Sequence, residues 1–379
     1  MAERDNISGE RLDKILSEFS FDGEFSGYIP YGNGHINDTF LASFRRGADE
    51  MKYIIQRINA AVFKNVPMLM RNFELVTEFL GRRVSESGGD PSRGALTLIF
   101  TRTGKSFVEA EGEFFRAFVF IGGATAYQSV EKPAHFFEAG RAFGRFAVLL
   151  NDFDASKLYE SIPDFHNTEK RFQAFSDALN SDRARRAASA DNEIEFTLKR
   201  RACAGKIVRA LDSKLIPLRV THNDTKLNNV MIDDETETAA AVIDLDTVMP
   251  GSLLYDFGDS IRSGCNTGAE DEKDLNKVNF DLGLFETYAD GYIGEAGRLM
   301  TKTERELLGF APFLMTFECG MRFLTDYLDG DNYFKTKRPE HNLDRARTQY
   351  KLAADMEKNE GKIKEILDRI FEKHGIGDK

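Results

Sequence analysis

His222-Asn223-Asp224-Thr225-Lys226-Leu227-Asn228-Asn229 leads into Val230-Met231-Ile232, and shortly after comes Ala241-Val242-Ile243-Asp244-Leu245-Asp246-Thr247. An aspartate and an asparagine share one polar loop, and a second aspartate ends an apolar run. A simple turn does not need so many polar groups. A carboxylate at Asp224 can accept or orient the proton of an attacking hydroxyl. Oxygens on Asn229 and Asp244 are the hard donors that Mg2+ prefers. A carboxylate facing a hydroxyl, beside oxygen ligands for a metal, is what phosphoryl transfer from ATP demands. Asp224 is therefore the candidate catalytic residue, with Asn229 and Asp244 as candidate metal ligands. Asp246 shares a side with Asp244 if the strand continues; a second ligand and a cap are both open readings.

The spacing H-x-D-x-x-x-x-N is the skeleton of a protein-kinase catalytic loop, but Asn223 stands where that loop carries Arg. Residues 221–229 with 242–259 closely resemble the aminoglycoside-phosphotransferase/choline-kinase superfamily, and within it the N-acetylhexosamine 1-kinases. The resemblance implies ATP and Mg2+ as cofactors, and a loop histidine, His222, that braces the backbone. A literal D-F-G occurs at Asp256-Phe257-Gly258. It lies past the Pro250-Gly251 turn, where a helix begins. Asp256 is accordingly expected to cap that helix and to hydrogen-bond the catalytic-loop backbone, as the matching residue does in the family. The metal-binding role goes to Asp244.

Upstream, the first third reads as strands with one helix. Tyr53-Ile54-Ile55-Gln56-Arg57-Ile58 is a β-branched strand, and 96–100 and 114–121 are two more. Residues 68–83 carry apolar side chains at helical spacing and end before Gly88-Gly89-Asp90-Pro91. Beyond Gly122-Gly123 the pattern turns helical. The stretch 135–150 is amphipathic, with Phe136, Phe137, Ala139, Phe143, Phe146 and Leu150 in its apolar stripe. Further helices are expected at 169–179, 194–211, 302–310, 313–328 and 343–374, interrupted by a hairpin at 230–243. The reading is an α+β chain of two parts. Residues 1–122 make a small β-rich nucleotide-binding lobe, and 123–379 a larger helical lobe for catalysis and substrate. Naming this a two-lobed protein-kinase-like fold with a nucleotide cleft rests on the resemblance.

Gly32-Asn33-Gly34, between two strands, resembles the nucleotide loop of these kinases, which makes Gly32 and Gly34 candidate cofactor-binding residues. No helix follows, which argues against a dinucleotide fold. Gly104-Lys105-Ser106 fails as a Walker A motif because Ile99 stands where the first Gly is required. The family expects a cation on the third strand paired with a Glu of the helix. The strand offers Gln56 and Arg57; Arg57 is taken toward the phosphates with Glu74 as partner, and a slip of one residue would make it Gln56. Residues 118–122 would form the hinge that meets adenine.

Three late stretches, Glu318-Cys319-Gly320-Met321-Arg322-Phe323-Leu324-Thr325-Asp326-Tyr327-Leu328, Asp331-Asn332-Tyr333-Phe334 and His341-Asn342-Leu343-Asp344-Arg345-Ala346-Arg347, resemble the sugar-pocket region of N-acetylhexosamine 1-kinases. The resemblance makes Arg322, Asp326 and Tyr327 candidate substrate-binding residues. On a helix, Glu318, Arg322 and Asp326 share one face, a pattern that also describes a salt-bridged surface. Phe165-His166-Asn167-Thr168 has the same family look without an assignable role.

The 379 residues carry a net charge of −11 and no low-complexity tract or basic block. Nucleic acid and anionic membrane are therefore poor partners. No apolar run is long enough to span a membrane and the N-terminus lacks a signal-peptide pattern, so the expected location is cytoplasmic. Three scattered cysteines, Cys203, Cys265 and Cys319, make neither a disulfide framework nor a zinc site. The sequence thus points to a small-molecule kinase that phosphorylates a sugar, the anomeric hydroxyl of an N-acetylhexosamine first. The rivals are a kinase of another small alcohol (an aminoglycoside, choline or homoserine) and an inactive nucleotide-binding protein on the same scaffold.

Overall fold

A computed structural model describes residues 9–32 and 36–377. They group into two compact units, Met1–Ala124 and Thr125–Lys379.

The first unit is built on an antiparallel sheet whose strands run in the order Glu24–Pro30, Asp38–Arg46, Asp49–Ile58, Glu113–Val119 and Leu98–Ile99, with Val108–Ala110 also paired to Glu113–Val119. Alternation divides its side chains between two faces. Tyr53, Ile55, Phe115 and Ala117 pack against Leu12, Ile15 and Leu16 of the helix Gly9–Ser17. The other face carries the helix Val66–Glu86, whose Phe73 ring lies 5.3 Å from that of Phe118. Asn65 caps this helix through a bond from the Met68 N–H, and Pro67 in its first turn costs no hydrogen bond. The expected strand at 96–100 shrinks to Leu98–Ile99.

The second unit is helical. Pro133–Leu149 and Leu282–Ala296 pack so closely that backbones touch. A Cβ on Gly140 would lie 2.4 Å from the Tyr288 carbonyl oxygen, and one on Gly291 2.3 Å from that of Phe137. Only glycine permits such an approach. Beside them lies Ala311–Asp329, which is buried along most of its length and stacks Phe317 against Tyr350 of His341–Lys358. Leu253–Gly264 packs on the same helix, with Gly258 beneath the Ala311 carbonyl.

Two expected long helices are broken. The stretch 194–211 divides into Asp191–Lys199, Arg201–Ala204 and Lys206–Asp212. The last break falls at Gly205, where a Cβ would collide with Glu169 Oε1. The stretch 343–374 divides at Asn359 into His341–Lys358 and Glu360–Lys373. Periodicity persists through both, because a bend of a residue or two preserves the buried stripe. Among the described residues no single helix is long and apolar enough to cross a membrane.

Candidate active site

Asp224 lies on the loop between the strand Arg219–Thr221 and the hairpin Val230–Asp233 with Ala239–Val242. The hairpin register sets Val242 opposite Val230, and the Ile243 N–H donates to the Asn229 carbonyl at 2.9 Å. This brings the residue after Ile243 beside Asn229. Asp244 is exposed and left-handed, with φ 59°, a conformation uncommon for a residue other than glycine. Asn223, immediately before Asp224, is also left-handed, with φ 65°. Two such residues in one small region mark a backbone held by its surroundings.

The Asn229 side-chain amide donates to Asp224 twice, at 2.8 Å to the main-chain oxygen and 3.2 Å to Oδ2. Lys226 Nζ sits 2.7 Å from Asp224 Oδ1. That carboxylate, followed by burial acting in the opposite sense, leaves the Lys226 ammonium above its ordinary pKa. Because the NH2 of Asn229 is committed to Asp224, its Oδ1 is left as the ligand end, and no described residue donates to it. One amide oxygen and one exposed carboxylate are hard donors of the kind that hold Mg2+ when phosphate oxygens complete the shell. The residues present therefore fit magnesium. No cluster of three or more His, Cys, Asp or Glu among the described residues could hold a metal by itself.

His222 is buried and joins the two halves of the site. Its Nε2–H donates to the Ile243 carbonyl at 2.9 Å, and its Nδ1 accepts the Asp224 N–H at 3.3 Å. Burial pulls its pKa down, so the neutral tautomer that makes both bonds is favoured. The expected bracing role is what the geometry displays.

Leu253–Gly264 grips the loop from below. Asp256 accepts the His222 N–H at 2.8 Å and the Asn223 N–H at 2.7 Å. Asp259 accepts the Thr225 N–H at 3.1 Å, and Ser260 donates to the Thr225 carbonyl at 2.6 Å. Burial pushes the Asp256 carboxyl up to about 7 against the pull of those two donors. Burial also opposes ionisation of Asp259, but Arg262 and then Lys226 outweigh it and hold its carboxyl below the usual range. The expected hydrogen bonds from the loop backbone to Asp256 are present. The expected cap is not: Ser252 caps the helix through the Leu254 N–H, and Asp256 lies within the first turn.

Other expectations are corrected. The strand stops at Val242 and a 3-10 turn, Leu245–Thr247, follows. The period-two placement of Asp246 beside Asp244 is therefore lost, and Asp246 is buried in the turn. Arg57 does not pair with Glu74. Its guanidinium contacts Asp38 and Glu113, the latter at 2.8 Å, while Glu74 faces Arg71 of its own helix at 3.4 Å. Arg57 alternates with Tyr53 and Ile55 on the face of Gly9–Ser17, opposite the helix that carries Glu74. Gln56 takes the other face, where its Oε1 accepts from Arg116 Nε at 3.0 Å and Nη2 at 2.8 Å. Arg116 is fully buried and lies over Phe73, 4.5 Å from the ring centroid. The cation that meets this helix thus comes from the next strand over. Gly32 is left-handed, with φ 75°, as a glycine turn permits; Gly34 lies outside the described residues.

Late in the chain, Glu318, Arg322 and Asp326 do share a face, but not a solvated surface. Asp326 is buried and accepts the N–H groups of Asn332 and Tyr333 at 2.8 Å, that of Phe334 at 2.9 Å, and the side-chain amide of Asn342 at 2.8 Å. Those bonds commit both of its oxygens to anchoring the loop after the helix, which corrects its assignment to substrate. Tyr327 is likewise buried, with its hydroxyl on Ser189 at 2.9 Å and Arg186 over its ring. Arg322 lies 5.3 and 5.6 Å from the ring centroids of Phe165 and Phe334, and makes no hydrogen bond or ion pair with any described residue. The sequence reading named His166 and Glu318 but missed that they pair. Their nitrogen and oxygen meet at 2.9 Å although they lie far apart in the chain, and no local pattern signals such a pair.

Residues 29–294, well over half of the chain, match the model of a phosphotransferase enzyme family that includes the aminoglycoside phosphotransferases. The chain belongs to this phosphotransferase family. As a member it is a small-molecule kinase with an alcohol as acceptor. Its fold recurs in an aminoglycoside phosphotransferase from Alicyclobacillus acidocaldarius, at 12% identity over 94% of this chain and 96% of that one, TM-score 0.60. It recurs too in a choline kinase from Cryptosporidium parvum, at 14% identity over 91% and 93%, TM-score 0.55. A microcompartment-associated aminopropanol kinase gives 14% identity over 94% and 99%, TM-score 0.54. The phosphotransferase fold is therefore shared with proteins named for quite different acceptors.

Proposed function

We propose that the chain is a sugar kinase that transfers the terminal phosphoryl group of MgATP to the anomeric hydroxyl of an N-acetylhexosamine. The observation that carries the acceptor class is the setting of Arg322. Its guanidinium lies near two phenyl rings, those of Phe165 and Phe334, and makes no ion pair with any described residue. Burial, and then the charge of Arg322, pull the neighbouring Arg171 below its ordinary pKa. Two guanidiniums so placed disfavour a cationic acceptor. They favour hydroxyl and amide oxygens, to which Arg offers a fork of donors. The acceptors for which choline kinase and aminopropanol kinase are named carry positive charge, and that rival reading is weakened accordingly.

In this reaction Asp224 orients the acceptor hydroxyl and receives its proton. Asn229 and Asp244 would hold Mg2+, which supplies charge neutralisation on the phosphate oxygens when bound. Lys226 adds positive charge beside Asp224. A nucleotide-bound relative, a spectinomycin phosphotransferase solved with ADP, supports ATP as donor.

The test is an ADP-release screen with MgATP over N-acetylglucosamine, N-acetylgalactosamine, neutral hexoses, aminoglycosides, choline and homoserine, followed by phosphorus NMR of the product. Phosphate at C1 of a hexosamine supports the reading. Fast turnover of choline or an aminoglycoside, with none of any hexosamine, overturns it.

A further inference from the structure

The peptide joining Asn223 to Asp224 is held at both ends by histidines. Its N–H donates to His222 Nδ1 at 3.3 Å, and its carbonyl oxygen lies 3.3 Å from His166 Nε2. The other ring nitrogen of His166 is 2.9 Å from Glu318 Oε1, and Thr168 donates its hydroxyl to the second oxygen of the same carboxylate. Asn223, His222, His166, Thr168 and Glu318 are all buried, and Glu318 is only 1% exposed.

The protonation pattern follows from the partners. A carbonyl oxygen can only accept, so Nε2 carries a proton. Glu318 accepts from Thr168 and faces Nδ1 as a carboxylate, so Nδ1 carries one too. Burial disfavours ionised Glu318, but His166, Thr168 and Arg322 outweigh it and hold the carboxyl below its usual range. The other groups around the ring are Phe165 and Tyr255, with centroids at 4.4 and 5.3 Å, and the carboxyls of Asp256 and Asp259, which respond to its charge.

This bears on Asp224 because Asn223 is left-handed, with φ 65°. A non-glycine residue leaves that region by rotating a flanking peptide, and rotation of the Asn223–Asp224 peptide would swing the Asp224 carboxylate. His222 secures one end of the peptide and His166 the other. His166 also ties that peptide to the helix Ala311–Asp329, on which Arg322 lies one turn beyond Glu318.

We infer that His166, charged and paired with Glu318, is a positioning residue for phosphoryl transfer: it clamps the Asn223–Asp224 peptide and links it to the helix bearing Arg322. The inference rests on Asp224 serving the acceptor hydroxyl. His166 touches neither substrate nor the reacting atoms; it sets where Asp224 stands. Misplacement of a reacting group by about an ångström costs on the order of a hundredfold in rate.

Two measurements test this. Nitrogen-15 NMR of the histidine rings at neutral pH, with His166 assigned by its loss in His166→Gln, reads protonation directly. Both nitrogens of His166 protonated in the wild type, and one in Glu318→Gln, supports the inference; a neutral ring in the folded wild type overturns it. Kinetics use MgATP with the fastest acceptor of the panel above. His166→Phe should lower kcat about tenfold to a hundredfold with the ATP dissociation constant within about twofold. His166→Gln should recover part of that loss, since its amide N–H can reach the Asn223 oxygen. Unchanged kcat in His166→Phe, or a loss wholly in ATP affinity, overturns the clamp. Should His166→Phe not fold, Glu318→Gln keeps the volume of the site, and unchanged kcat in it overturns the clamp equally. Asp224→Asn separates the two levels. If it is inactive while the His166 and Glu318 variants are normal, the clamp alone fails; if it is fully active, the role of Asp224 fails.

Discussion

Asn229 turns its amide nitrogen toward Asp224, 2.8 Å from the main-chain oxygen and 3.2 Å from Oδ2. One side chain thereby fixes the candidate base with its donor end, while its acceptor end takes no hydrogen bond from any described residue.

Asp224→Asn should lower kcat by a factor of about a hundred or more while leaving the MgATP dissociation constant near the wild-type value. The substituted amide can still offer an oxygen to Asn229, so the loop keeps its shape. Steady-state kinetics beside a calorimetric titration of MgATP decide it; near-normal turnover would remove Asp224 from the catalytic role.

Asp244 and Asp256 should separate cleanly. Asp244 is exposed, so Asp244→Ala should weaken magnesium-dependent nucleotide binding and lower the melting temperature by less than Asp256→Ala does. Asp256→Ala strands the buried N–H groups of His222 and Asn223, each at a cost of about 1–3 kcal/mol. Its melting temperature should fall by several degrees. Loss of metal response in a stably folded Asp256→Ala protein, with Asp244→Ala normal, would reverse the assignment.

The Asp256 carboxyl, pushed up to about 7 from an ordinary 3.8, makes stability depend on pH. Between those values the folded chain binds the proton more tightly than the unfolded chain. This contribution is fully present below about pH 4 and is lost as pH rises through about 7. Asp256→Asn removes it. Urea unfolding from pH 4.5 to 8 should show a shallower alkaline decline in the variant than in the wild type. Parallel curves would mean that Asp256 is ionised throughout, its two N–H donors having outweighed burial.

Gly140 and Gly361 form a matched pair within helices. A Cβ on Gly140 would sit 2.4 Å from the Tyr288 oxygen, whereas one on Gly361 meets nothing within 4 Å. Gly140→Ala should destabilise by roughly 1–3 kcal/mol through overpacking. Gly361→Ala should stabilise by about 0.4–1 kcal/mol through reduced chain entropy. Denaturation midpoints of the two variants check the contrast, and a neutral Gly140→Ala would mean that the helices can part at no cost.

The candidate catalytic stretch was legible in the sequence as one structural unit because its residues are local. Asp224, Asn229 and Asp244 lie within a loop and a hairpin, and the hairpin register alone brings them together. The apolar stripe around Phe136, Phe143 and Phe146 was equally legible, as burial follows helical period. What failed was long-range. Arg57 and Gln56 are neighbours on opposite faces of a strand, so a cation assigned one residue out lands beside Asp38 and Glu113 rather than Glu74. Asp326 carries the spacing of a surface charge but is buried by backbone donors from Asn332, Tyr333 and Phe334. Nothing within a few residues of His166 announces Glu318. Such pairs are set by tertiary packing, which spacing does not encode.

The grip of Leu253–Gly264 on the loop has a consequence for motion. Amides on an exposed catalytic loop ordinarily exchange with solvent through local opening. Those of His222, Asn223 and Thr225 end on carboxylates rooted in a buried helix. Freeing them requires that helix to leave its place against Ala311–Asp329. Their exchange should therefore track global unfolding, orders of magnitude slower than that of the hairpin tip near Glu235. The loop is a fixed fitting of the core, and whatever moves during turnover moves around it.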